Sequence, residues 1–169
     1  MSMADNLIGK LIPHQGCVIT RLKDGTDGIE GIRIAGSAMN WVMSAAVVPF
    51  VCRPPFVFRV VGKTDSTNLR MHFHRGELIF NWECNVRALR VHDPATAEQH
   101  ELKDKGFIAT TDWHEIVWEI RLDRMRVVVD GEVRFEGAGD YSGIESAPSV
   151  GPCFGSAVSV REFTITPLV

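Results

Sequence analysis

Short runs in which apolar and polar residues alternate, each cut off by Gly, Asp, Asn or Pro, limit what this chain can fold into more than any other feature. An amphipathic helix repeats its apolar positions every three to four residues, whereas a half-buried strand repeats them every second one. Ten segments follow the second rule: 16–22, 30–34, 56–63, 68–74, 77–83, 88–92, 113–122, 125–130, 132–136 and 158–166. The pair Asp130-Gly131, set between Val127-Val128-Val129 and Glu132-Val133, has the chemistry of a two-residue hairpin turn. Arg75-Gly76 marks a second reversal. Residues 93–105 and 137–148 read as loops. Residues 43–55 hold Pro49, Pro54 and Pro55 and read as an edge strand followed by a crossover. With no internal repeat or linker, closely spaced short strands predict an all-β fold, either a two-sheet sandwich or a barrel.

A chain of 169 residues is the size of one domain, and 1–169 is read as one unit. An apolar share of 45 % with 23 % charged residues gives enough material for a core and excludes a disordered chain. The net charge of −3 supplies no basic field for nucleic acid or an anionic membrane, so neither is expected as a partner. There is no apolar run long enough for a membrane span. Met1-Ser2-Met3-Ala4-Asp5-Asn6 lacks the basic and apolar regions of a secretory signal, so a cytoplasmic location is expected. Cys17, Cys52, Cys84 and Cys153 form no C-x-x-C pair and sit among apolar neighbours. They read as buried free thiols, with one disulfide as the alternative. Arginine outnumbers lysine, and its rigid donor fork suits the recognition of polar groups.

Strand parity sorts the faces. Leu69, Met71 and Phe73 point one way, and Asn68, Arg70 and His72 the other. On the next strand Leu78, Phe80 and Trp82 take the apolar side, opposite Glu77, Asn81 and Glu83. Arg59 and Lys63 occupy the polar side of 56–63. In 113–122, His114, Ile116, Trp118, Ile120 and Leu122 share one face, while Trp113, Glu115 and Glu119 lie on the other. Asn is depleted in strands, so Asn68 and Asn81 need a reason for being there.

Two stretches, Trp113-His114-Glu115-Ile116-Val117-Trp118-Glu119-Ile120 and Arg124-Met125-Arg126-Val127-Val128-Val129-Asp130-Gly131-Glu132, carry a resemblance. So does Gly151-Pro152-Cys153-Phe154-Gly155-Ser156 before the strand at 158–166. Together, over about 56–169, they resemble the concanavalin A-like lectin and glucanase superfamily. That resemblance implies a two-sheet antiparallel jelly-roll sandwich. Galectins of this superfamily read galactosides with His, Asn, Arg, Trp and Glu on adjacent strands. Asn68-x-Arg70-x-His72 and Asn81-Trp82-Glu83 offer similar residue types in a different order.

The expectation is a non-catalytic carbohydrate-binding domain whose ligand-binding residues are Arg59, Asn68, Arg70, His72, Asn81, Glu83 and Trp113. The first six must converge in a groove, and Trp113 is the stacking surface. The plain alternative is a solvated strand face with surface ion pairs. A glycoside hydrolase is the next reading, and it needs two carboxyl groups roughly 5–10 Å apart. Glu115 and Glu119 lie about 13 Å apart along one strand, which leaves a cross-strand pair such as Glu83 with Glu115. His72-x-His74 has a chelating spacing, and Asp24-Gly25-Thr26-Asp27-Gly28 reads as either a turn or a calcium loop. Neither is adopted, so no metal and no cofactor are expected. The apolar residues Val47, Val48, Phe50, Val51 and Phe56 suggest pairing of edges in a homodimer.

Overall fold

The computed structural model describes residues 5–23, 30–36 and 44–169, and the statements below concern these residues. The calcium-like loop at 24–28 and Trp41 lie outside them. After one 3-10 turn, Ile8–Lys10, fourteen strands follow. They are Ile12–His14 (β1), Val18–Lys23 (β2), Glu30–Ala35 (β3), Ala45–Val47 (β4), Phe56–Thr64 (β5), Leu69–Phe73 (β6) and Gly76–Phe80 (β7). The rest are Leu89–His92 (β8), Gln99–Leu102 (β9), His114–Ile120 (β10), Arg124–Val129 (β11), Glu132–Ala138 (β12), Ser149–Gly151 (β13) and Ala157–Pro167 (β14). Sheet I has the order β1-β4-β13-β6-β7-β8-β9, and sheet II the order β12-β11-β10-β5-β14-β3-β2. Neighbouring strands pair antiparallel throughout.

The core lies between the sheets. Leu69, Met71, Phe73, Leu78 and Phe80 of sheet I face Phe58, Val60, Ile116, Trp118, Val127 and Phe163 of sheet II, all fully buried. Phe56 of β5 meets Phe73 of β6 edge-on at 4.9 Å between ring centroids, which joins the two layers directly. The predicted hairpin forms as its sequence dictates: Asp130 and Gly131 both take positive φ, 50° and 82°, and β11 turns into β12.

Each of the ten expected strands is present, but the connecting segments hold more structure than the sequence reading gave them. β9 lies inside the supposed loop 93–105, and β13 begins directly after the supposed loop 137–148. β4 is not an edge strand, because β1 pairs with it on one side and β13 on the other. Of the apolar patch assigned to edge pairing, Val48 and Phe56 belong to the core, while Phe50 and Val51 stay exposed. Leu122 leaves its expected face and lies exposed beyond the end of β10. All four cysteines are free, and Cys84 is exposed rather than buried.

Three polar contacts position the loops. Asn81 is buried at φ 47°; its Nδ2 donates to the Ile108 carbonyl at 2.9 Å, and its Oδ1 accepts from the Ile108 N–H at 2.8 Å. The Tyr141 hydroxyl, between β12 and β13, donates to Asp93 Oδ2 at 2.6 Å at the end of β8, tying the two sheets together. Asn6 fills the bulge of β14, donating to the Arg161 carbonyl at 2.9 Å and accepting from the Phe163 N–H at 3.1 Å.

Candidate functional site on the outer face of sheet I

The side chains of β6, β7 and β8 that point away from the core make a mainly polar floor, interrupted by Ile79 between Arg70 and Arg90. Register places Arg70 opposite Ile79 and His72 opposite Glu77, and Glu77 in turn faces His92. Arg70 is the centre of this floor. Its Nε and Nη2 donate to Asn68 Oδ1 at 3.0 and 2.8 Å, its Nη1 to Glu77 Oε1 at 3.0 Å, and its Nη2 also to Glu83 Oε2 at 3.2 Å. The side chains are only 10 % exposed for Arg70, 13 % for Glu77 and 24 % for Glu83. A guanidinium so nearly removed from water is tolerable only because carboxylates and an amide satisfy it. The result is a fixed fork rather than a mobile surface cation.

His72 Nε2 lies 3.3 Å from Glu77 Oε1, and His92 Nδ1 lies 3.6 Å from Glu77 Oε2. Neither Nε2 atom has an aligned hydrogen-bond partner. Burial pushes the His72 imidazole down to about 4; Glu77 opposes that shift, while Arg70 and His92 reinforce it. Burial, with Arg90 and Arg70, lowers His92 too. Both rings are therefore neutral near pH 7, with their Nε2 atoms buried in the floor.

Two aromatic side chains stand at the margins. Phe154 is 47 % exposed, held at φ 52° ahead of Gly155, with its ring centroid 5.8 Å from the Arg70 guanidinium carbon. Trp82 packs against Arg90, whose guanidinium carbon lies 4.4 Å from its ring centroid. Arg90 also donates to Gln99 Oε1. Parity had put Trp82 on the apolar side. The strand ends at Phe80, and the left-handed backbone at Asn81 turns Trp82 out toward Arg90.

Of the residues picked from sequence, Asn68, Arg70, His72 and Glu83 come together here. Arg59 does not, because β5 belongs to sheet II; its Nε and Nη1 bond Glu115 and Glu162, each at 2.6 Å. Trp113 is also on sheet II, between the Lys63 ammonium at 4.9 Å and the Arg161 guanidinium at 5.3 Å. Asn81 reaches the region but gives both ends of its amide to residue 108. The site thus has two asparagines at positive φ, 58° for Asn68 and 47° for Asn81, and this backbone demand is why Asn stands there. Arg90, His92 and Phe154 were missed. The alternation Leu89-Arg90-Val91-His92 was a readable signal for the first two; nothing local marks Phe154.

The competing chemistries fare differently. Glu83 lies beside sheet I and Glu115 on sheet II, so they cannot flank one glycosidic bond. His74 stands at φ 55°, past the end of β6, and its Nδ1 is 2.8 Å from the Pro94 carbonyl oxygen, so His72 and His74 do not present a chelating pair. Among the described residues no group of three His, Cys, Asp or Glu is placed to hold a metal.

Fold and face define a two-sheet antiparallel β-sandwich of the galectin-like type, with a polar floor on one outer face. Among solved structures the chain is similar to a cellulose-induced protein, Cip1, with a TM-score of 0.74, 9 % identity and coverage of 99 % of this chain and 98 % of that one. A Bacillus subtilis protein of unknown function with a galectin-like fold gives 0.71 at 8 % identity, covering 94 % and 90 %. The carbohydrate-binding module CBM66 from Bacillus subtilis gives 0.55 at 11 % identity, covering 89 % and 95 %. No protein-family model and no curated protein matches the sequence.

Proposed function

We propose that this protein is a non-catalytic carbohydrate-binding domain that holds a saccharide on the outer face of sheet I. The observation that carries the reading is Arg70, fixed by Asn68, Glu77 and Glu83 beside the exposed ring of Phe154. Sugar hydroxyls donate and accept in one plane, and such a floor answers with carboxylate acceptors, guanidinium donors and an aromatic edge. Likeness in fold to a carbohydrate-binding module and a galectin-like protein is in keeping with this. Glu77 and Glu83 are both committed to ion pairs with Arg70, an arrangement that fixes a binding group rather than frees a proton donor.

The test is a glycan array of the purified domain, with and without EDTA, followed by calorimetry on the best glycan. Glu83→Gln keeps shape but loses the charge of the more exposed carboxylate, and is expected to weaken binding about tenfold while leaving the melting temperature within a few degrees. Phe154→Ala is expected to weaken it severalfold. An array with no saturable binding overturns the carbohydrate reading.

A further inference from the structure

The outer face of sheet II carries a second polar cluster, where β5, β10 and β14 lie side by side. β14 is bulged between Val160 and Glu162, so Arg161 is its extra residue. Arg161 and Glu162 are consecutive and both half-buried, the bulge having turned the two of them to the outer face. Asn6 bonds the Arg161 carbonyl and the Phe163 N–H on either side, which fixes where Arg161 stands. Its guanidinium carbon lies 5.3 Å from the ring centroid of Trp113, and the Lys63 ammonium lies 4.9 Å from the same centroid. One indole thus holds two cations supplied by two different strands.

These cations lack counter-charge. On the same face, Glu115 and Glu162 both bond Arg59 at 2.6 Å, which commits two carboxylates to one guanidinium. Among the described residues, neither Lys63 nor Arg161 donates a hydrogen bond or pairs with a carboxylate. Arg161 Nε is buried without a partner, so the terminal nitrogens are the part of that guanidinium left to bond. Ser159 stands in register with Lys63 on one side and Arg33 on the other, adding a hydroxyl to the border of the pair. Arg33 itself is matched by Asp65 at 3.7 Å. The chain carries a net charge of −3, so this local excess of positive charge is not part of a general basic field.

Two half-buried like charges repel each other and gain from a group that neutralises both. Sugar hydroxyls bring no charge, and a carboxylate or a sulfate ester brings one. A phosphate monoester brings about −1.5 to −2 at pH 7, with three acceptor oxygens for ammonium and guanidinium donors. Trp113, with both cations against its ring, serves to hold them in place rather than to stack on a sugar.

We propose that Lys63, Arg161 and Ser159, gathered around Trp113, form a binding site for a dianionic phosphate group. It lies on the sheet opposite the saccharide floor and does not depend on the carbohydrate reading.

The test is a nuclear magnetic resonance titration of the full chain, following the Trp113 indole N–H, which Trp113→Phe assigns. Inorganic phosphate, glycerol 3-phosphate and, as a singly charged control, methyl sulfate are added at one ionic strength set with sodium chloride. Both phosphates are expected to shift the signal saturably and to bind about tenfold tighter than methyl sulfate. Tighter binding of glycerol 3-phosphate assigns the site to a phosphate ester, and equal affinity to phosphate in either form; both support the proposal. Arg161→Gln and Lys63→Gln are each expected to weaken binding about tenfold. Arg124→Gln, which removes an arginine paired with Asp123 on the same sheet, is expected to leave it unchanged. Lys63→Gln carries the comparison should Arg161→Gln not fold. No saturable shift, equal affinity for phosphate and methyl sulfate, or equal losses in Lys63→Gln and Arg124→Gln overturns the site.

Discussion

Asn81 shows how one residue type can carry two meanings. Sequence reasoning took it for a sugar ligand, because asparagine in a strand needs an explanation. Its amide instead closes on both backbone groups of Ile108, inside a region with almost no access to water. Asn81→Ala leaves that N–H and carbonyl buried and unpaired, and forces alanine into left-handed backbone. The expected loss is about 3 kcal/mol, a fall of roughly 10 °C in melting temperature for a domain of this size. A melting temperature near wild type, read by calorimetry or circular dichroism, would show that the latch carries no stability. Arg70 and Glu83 differ from it: they pair with each other on the outward face of sheet I, and Glu83 keeps 24 % of its side chain exposed.

At the scale of elements, strands came from alternation and their partners from nowhere local. β11 and β12 are legible because Asp130-Gly131 joins them as a hairpin, and β10 because Ile116, Trp118 and Ile120 keep strict parity. β13 is three residues long and β9 is Gln-His-Glu-Leu; neither has enough alternation to announce itself, and each exists because a neighbour offers a hydrogen-bonding edge. The same limit explains the site. Parity correctly put Arg70, His72 and Glu77 on one face, but it cannot say which sheet a strand joins, so Arg59 was grouped with residues from the opposite layer. The sheets are fastened by the Tyr141 hydroxyl on Asp93. Burial alone raises Asp93, but that hydroxyl together with the N–H groups of Thr96 and Ala95 outweighs it and holds the carboxyl below its usual range. Tyr141→Phe removes a charge-assisted bond from a fully buried position, and a loss of about 2 kcal/mol is expected in urea unfolding. A change below 0.5 kcal/mol or so would mean the loop is held by the packing of the ring alone.

For the molecule as a whole, His72 predicts a pH dependence. Its folded value, about 4, lies below the ordinary 6.5, so below 6.5 the unfolded chain binds the proton more readily. The stability it contributes is complete above pH 6.5 and is lost as the pH falls toward 4, by up to about 3 kcal/mol. His92 is lowered by the same burial and acts with the same sign. Urea midpoints measured from pH 7.5 to 4 are expected to fall, and His72→Gln is expected to flatten part of that fall. An equal slope in wild type and variant would place the acid sensitivity elsewhere, for example in Asp93.

The central position of β5 in sheet II also governs how the chain must be made. Its two neighbours are β10 and β14, and β14 pairs along its whole length, from Thr64 with Val158 to Phe56 with Pro167. On a ribosome, β5 therefore emerges long before either partner and keeps an open edge until β14 is released. Local contacts cannot close this sheet early, so folding belongs to the slow, non-local class. Until β14 arrives, the nascent chain exposes a Val- and Phe-rich strand edge that chaperones, or other copies of itself, can reach. A frameshift or premature stop anywhere in β14 would thus remove a strand from the interior of sheet II, between β5 and β3.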